Sequence, residues 1–337
     1  MKATKILVIG ACGQIGTELT AALRQNFGTD RVIAADRNLE NNVEGRYLQV
    51  DVLNFDALST LVREENITQI YLLAAMLSVK GEQNIHAAWE LNMQGLINVL
   101  KIAAAQKLDK IFWPSSIAVF GPGSPRYNCP QNTRIEPTTL YGISKRSGEY
   151  WCNYYFEKFG VDVRSLRYPG LVSYTTQPGG GTTDYAVDIF HQALNKNSYT
   201  CFLQEDTCLP MLYMPDAIRA TLELMNAPKE NIRIRTAYNL AGMSFAPCDI
   251  AAAIRQYLPG FHISYEPDYR QAIADAWPAS IKDTQAREDW GWKPTYNLES
   301  MTVDMLKNLG TLKGISMPEI KQDYPDFQID NHTFAKA

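Results

Sequence analysis

The 337-residue sequence contains no apolar stretch near the roughly 18 residues a membrane span needs, so no transmembrane helix is expected. It also lacks a Lys/Arg run. Thirty-two Lys and Arg stand against thirty-six Asp and Glu, a formal charge of -4, and no basic face emerges that would neutralise a phosphate backbone. Neither nucleic acid nor a membrane is an expected partner. Six cysteines (Cys12, Cys129, Cys152, Cys201, Cys208, Cys248) and four histidines form no CxxC, HExxH or HxxxH spacing, so no metal site is expected. Cys201 and Cys208 bracket a short polar turn and could be drawn as a disulfide, yet buried free thiols suit a reducing cytosol. Repeats and low-complexity tracts are missing. Met1 to Gly10 runs straight into a strand with no room for a signal or transit peptide, which points to a cytoplasmic protein.

What is present is apolar material, 46% of residues, arranged in β-branched runs at βα spacing. These are Lys5 to Gly10, Arg31 to Asp36, Arg46 to Val52, Gln69 to Ala75, Lys110 to Ser116 and Asp162 to Gly170. They are near-continuous rather than alternating, as strands buried on both faces must be. Helix-period segments at Gln14 to Asn26, Phe55 to Glu65, Ala87 to Lys107 and Tyr141 to Phe159 supply the crossovers. The pattern predicts an α/β fold, a doubly wound parallel sheet of the Rossmann type over residues 1–170, completed by later strands at about 212–242. Residues 171–211 and 243–310 are expected to form a small discontinuous α/β cap, with a helix N-cap near Asp216, and residues 311–337 a peripheral tail.

The first strand is followed at once by ACGQIG, which places Gly10, Gly13 and Gly16 in a GxxGxxG array opening a helix. Glycine there lets the backbone turn tightly and approach a pyrophosphate, which the helix N-terminus then stabilises; Gln14 and Ile15 belong to the same turn. Asp36 ends the second strand about 20 residues on, where a carboxylate accepts hydrogen bonds from adenosine ribose hydroxyls and repels a 2′-phosphate. Arg37 beside it works the other way, since a guanidinium receives such a phosphate. Asp51 and Val52 are expected to edge the adenine, and Leu73, Ala74 and Ala75 to end the fourth strand beside the pyrophosphate. Tyr168 and Leu171 complete the expected cofactor set. Asn92 reads equally as a cofactor contact or a packing amide.

YGISK sets Tyr141 and Lys145 four residues apart on one helical face, where an ammonium would stabilise a phenolate and make Tyr141 a general base. Ser116 ends a strand at the carboxyl edge of the sheet, placed to hydrogen-bond a reacting hydroxyl while Tyr141 takes its proton.

The glycine array, Asp36, NxxGxxN at Asn92 to Asn98, SSIAVFG, YGISK and WGWKPTYNLE (Trp290 to Glu299) together resemble the extended short-chain dehydrogenase/reductases over about residues 5 to 310. Within them, LRYPGLVSYTTQPGGGTTDYAVDIFHQAL resembles the L-threonine 3-dehydrogenase branch, relatives of the UDP-sugar epimerases. The resemblance implies NAD as cofactor, oxidation of L-threonine at C3 to L-2-amino-3-oxobutanoate, and a homodimer built through Ala87 to Lys107 and Tyr141 to Phe159. A small zwitterion would meet Ser78, Ser116, Tyr141, Gly180, Thr182 and Thr183, while Trp277 would pack under the cap or wall the pocket. The glycines before the cap helix are a ready hinge for closure over the substrate. Two other readings stay open: a nucleotide-sugar epimerase or dehydratase, and a dinucleotide-sensing protein without turnover.

Overall fold

The structure, a computed structural model, describes residues 3–38, 44–177 and 179–315. Strand β1 (Ile6–Ile9) leads into α1 (Gln14–Phe27), followed by β2 (Val32–Asp36), β3 (Tyr47–Gln49), α2 (Phe55–Glu64) and β4 (Gln69–Leu72). Next come α3 (Ser78–Gln83), α4 (Ile85–Trp89), a π-helical turn (Glu90–Gln94), α5 (Gly95–Gln106) and β5 (Lys110–Phe112). The two-residue β6 (Ser115–Ser116) precedes α6 (Leu140–Phe159), β7 (Val163–Arg164), β8 (Leu166–Tyr168) and β9 (Gly170–Val172).

The central sheet is parallel throughout, in the order β3-β2-β1-β4-β5-β7. Ile6, Val8, Val32 and Ala34 face α1, while Leu7, Ile9, Ile33 and Ala35 face α2 and α5. All eight are at most 1% exposed, which is why the sequence of these strands is unbroken apolar rather than alternating. The order reverses between β1 and β4, and a doubly wound sheet opens a crevice at that point.

Two long runs read as single strands are each divided. Lys110 to Ser116 breaks into β5 and β6 at Trp113–Pro114, and Asp162 to Gly170 breaks at Ser165 into β7 and β8 and again at Pro169 before β9. Proline has no N–H for a ladder, so at Pro114 and Pro169 the chain changes partners. β6 pairs with β8 and β8 with β12 (Tyr238–Asn239), while β9 pairs with β11 (Leu209–Tyr213). The expected helix over Ala87 to Lys107 is likewise interrupted by the π-helical turn.

After β9 come α7 (Tyr185–Lys196), β10 (Ser198–Cys201), β11 and α8 (Met214–Asn226). Beyond β12 lie β13 (Met243–Phe245), α9 (Pro247–Arg255), β14 (His262–Tyr265), α10 (Arg270–Asp275), α11 (Thr284–Trp290) and α12 (Leu298–Lys313). A separate apolar core, including Tyr185, Phe190, Phe245, Ile254 and Met305, lies under α7, α9 and α12. Asp216 does not cap α8, whose N-cap is Tyr213. From the helix's first turn it accepts the N–H groups of Thr295 (2.8 Å) and Tyr296 (3.0 Å) and pairs with Arg219, holding the Trp290 to Glu299 segment in place. Cys201 and Cys208 are thiols, not a disulfide. Among the described residues no helix is long and apolar enough to cross a membrane. Residues 316–337 of the expected tail lie outside the described residues.

Candidate active site

A cleft of about 1090 Å³, its mouth included, opens at the carboxyl ends of β1 and β4. One end is walled by the turn from Gly10 through Gly13, Gln14 and Ile15 to Gly16. Gly10 has φ +89°, and a Cβ there would stand 2.6 Å from the Ala74 nitrogen, so the turn closes only with glycine. Gly13 differs: a Cβ would meet only the Gly10 carbonyl at 3.4 Å, which leaves the backbone open toward the cleft. α1 starts there with no side-chain cap and no acidic residue in its first turn, so the positive end of its dipole is left for an anion.

At the tip of β2 the Asp36 carboxylate accepts the N–H of Cys12 (3.1 Å) and of Arg37 (2.8 Å), which fixes it beside the glycine turn. The exposed Arg37 uses its backbone carbonyl to bind Gln49. Asp51 caps its own turn through the Leu53 N–H, and buried Val52 gives its carbonyl to Asn98. Of the β4 end, Leu73 and Ala75 line the cleft, and Ala74 backs Gly10. Asn92 is not brought into the cleft. Its amide is taken by the Met76 N–H (2.8 Å), the Met76 carbonyl (3.0 Å) and the Ser144 hydroxyl (3.3 Å), so it acts as a packing amide between the β4–α3 loop and α6.

Ser116, Tyr141 and Lys145 line the cleft together with Tyr168 and Leu171. α6 is capped by the Thr139 hydroxyl on the Gly142 N–H, and begins one residue before Tyr141. Lys145 is 3% exposed; its ammonium donates to the Pro114 carbonyl at 2.6 Å and stands 4.5 Å from the Trp113 ring centre and 5.5 Å from that of Tyr141. Burial pulls Lys145 down to about 7, against the opposing effects of Cys152 and Glu149. Burial likewise pushes the Tyr141 phenol up to about 12, while its hydrogen bond with Ser116 draws it back. Burial is the larger influence on both groups.

Ser78, Thr182, Thr183 and Trp277 also line the cleft, whereas Gly180 stays out of the wall and Gly181 takes its place. The buried Thr182 hydroxyl has no hydrogen-bond partner among the described residues. Trp277 is 6% exposed, so it both packs in the core and faces the cleft. Asp184, which reads in the sequence as a first-turn helix residue, also reaches the wall and folds the glycine loop by accepting the N–H of Gly180 (2.7 Å) and Gly181 (2.8 Å). Glu149 also escaped the sequence reading, although its position four residues beyond Lys145 places it on the same helical face.

These features fit a dinucleotide. With a dinucleotide bound, the glycine backbone and uncapped helix end would hold its pyrophosphate, Asp36 its ribose, and the Ser116, Tyr141 and Lys145 group would stand at its reactive end. The model of the NAD dependent epimerase/dehydratase family matches residues 6–241. The chain is 46% identical over 308 residues to an uncharacterized epimerase/dehydratase of Staphylococcus haemolyticus, covering 90% of this chain and 96% of that one. Among solved structures it resembles a partial consensus L-threonine 3-dehydrogenase (57% identity, TM-score 0.90, covering 91% and 99% of the two chains). It also resembles the holo form of a GalE-like L-threonine dehydrogenase from Cupriavidus necator (56%, TM-score 0.89, 90% and 99%). On the glycine turn, the Ser116, Tyr141 and Lys145 group and these matches together, the chain belongs to the NAD-dependent epimerase/dehydratase family and binds NAD.

Proposed function

We propose that this protein oxidises L-threonine at C3 to L-2-amino-3-oxobutanoate, with NAD as the oxidant. The observation that carries this reading is the charge of the cleft wall. Among the described residues its charged lining groups are Lys145, committed to the Pro114 carbonyl, and Asp184. A nucleoside diphosphate sugar would need cations for its diphosphate that this wall does not offer. A small amino acid finds hydroxyls at Ser78, Thr182 and Thr183 for its carboxylate and a carboxylate at Asp184 for its ammonium. The names of the two similar solved structures support the same substrate.

NAD, when bound, supplies the hydride acceptor. The chain's own residues handle the proton. Ser116 orients the C3 hydroxyl, Tyr141 removes its proton as the C3–H bond gives up its hydride, and the Lys145 amine, charged below its lowered midpoint of about 7, stands beside the phenol. Burial keeps the phenol protonated through neutral pH, so base catalysis strengthens as pH rises.

The reading is tested by NADH absorbance at 340 nm with L-threonine, L-allo-threonine, L-serine and UDP-glucose in turn. Turnover of L-threonine well above the others is expected; turnover of the sugar with none of threonine would overturn it.

We further propose a homodimer. Ile85 and Trp89 on α4 and Ile143, Tyr150, Trp151 and Tyr154 on α6 are all more than a third exposed, a patch that association would cover. Sedimentation at the monomer mass would refute it.

A further inference from the structure

Behind the reacting groups lies an ion pair that the proposed chemistry does not use. β6 and β8 pair with Ser115 opposite Arg167, and β8 and β12 with Arg167 opposite Asn239. The three residues thus form one row across the small sheet. Along β6 and β8 the next residues are Ser116 and Tyr168, both of the cleft wall. The row converges on Glu149 of α6, which is fully buried. Its carboxylate receives the Ser115 hydroxyl at 2.7 Å and Arg167 through two nitrogens at 2.8 and 2.9 Å. Arg146 adds a contact at 3.0 Å. Arg167, 2% exposed, is completed by the Gln131 carbonyl (3.1 Å) and Asn239 (3.0 Å).

We propose that Glu149 is a positioning residue, clamping β6 and β8 against α6 so that Ser116 and the Tyr141–Lys145 pair meet at one point. The inference rests on the reading of those three residues given above. A two-residue strand has few ladder bonds of its own, so its place against α6 depends on side-chain ties. Beside the Ser116–Tyr141 hydrogen bond, two such ties act at its start: Lys145 to the carbonyl of Pro114, just before the strand, and Glu149 to Ser115, its first residue.

Glu149 has a second effect, on charge. The titratable groups facing Lys145 are Tyr141, Glu149 and Cys152 on α6; from the β5–β6 side come the Trp113 ring and the Pro114 carbonyl. Burial keeps the Tyr141 phenol and the Cys152 thiol protonated, which leaves Glu149 as the anion that opposes the loss of the Lys145 proton.

The test uses the full-length protein and the variants Glu149→Gln and Ser115→Ala. Lys145 is followed by NMR in lysine-labelled protein, its signal assigned by its loss in Lys145→Arg. In Glu149→Gln the Lys145 midpoint is expected to fall by about one pH unit or more, with NADH binding by fluorescence unchanged. In Ser115→Ala the midpoint holds, while kcat for threonine falls about ten- to a hundredfold at unchanged KM for NAD. An unmoved midpoint in Glu149→Gln overturns the charge role, and an unchanged kcat in Ser115→Ala overturns the clamp. If Glu149→Gln does not fold because Arg167 is left as a lone buried charge, Ser115→Ala alone decides the clamp. If the wild-type protein does not oxidise threonine, the function proposed above fails, and the NMR midpoint still decides the charge role.

Discussion

Tyr141 and Lys145 illustrate how far a short motif carries chemistry. Their spacing places them on one helical face, but not the balance of charge around them. Burial moves the phenol up and the ammonium down, opposite to what a base and its activating cation need. In alcohol oxidation the phenol must lose its proton, so the rate is expected to rise with pH from 6 to 9, and reduction of the corresponding ketone to fall. Tyr141→Phe should keep NADH binding, read by fluorescence, and lower kcat about 10²- to 10⁴-fold, because only the proton acceptor is removed. A variant that retained turnover with the same pH dependence would take the proton-transfer role away from Tyr141.

Among the elements, the β1–α1 turn was the most legible. An unbroken apolar strand, three glycines at fixed spacing and an amphipathic helix each demand the same local geometry. The structure separates two glycine duties that the sequence treats alike. Gly10 is a steric necessity against Ala74, whereas a Cβ on Gly13 would meet only the Gly10 carbonyl, at 3.4 Å. Gly13→Ala is therefore expected to fold with a melting temperature near that of the wild type yet bind NADH at least about tenfold more weakly, its methyl standing where the pyrophosphate approaches. Gly10→Ala should lose thermal stability outright; equal melting temperatures for the two variants would contradict this division. Elsewhere the sequence misled where a single residue decides partners. Pro114 and Pro169 divide runs that read as continuous strands, because hydrophobicity marks burial but not which ladder a strand joins. The helix start expected near Asp216 is found at Tyr213, but the role of the Asp216 carboxylate, which serves a segment 79 residues away, is one that no local pattern reveals.

For the whole molecule, a doubly wound parallel sheet followed from strand spacing and right-handed crossovers, while its strand order, which places the cleft, is seen in the structure. The rest of the wall was less legible. Ser78, Thr182, Thr183 and Trp277 line the cleft as expected, but Asp184 reaches it from the N-cap of α7 through the loop it folds locally, and the buried Glu149–Arg167 pair comes from the packing of α6 on β8. The cleft that results joins a cofactor end to a pocket with one carboxylate and one engaged lysine, a setting suited to a small zwitterion losing a hydride. The most direct measurement is transfer from L-threonine deuterated at C3. Incubation with NAD followed by mass spectrometry of the nucleotide should give reduced cofactor carrying the deuterium. Reduced cofactor without the label, or none formed at all, would contradict the proposed oxidation at C3.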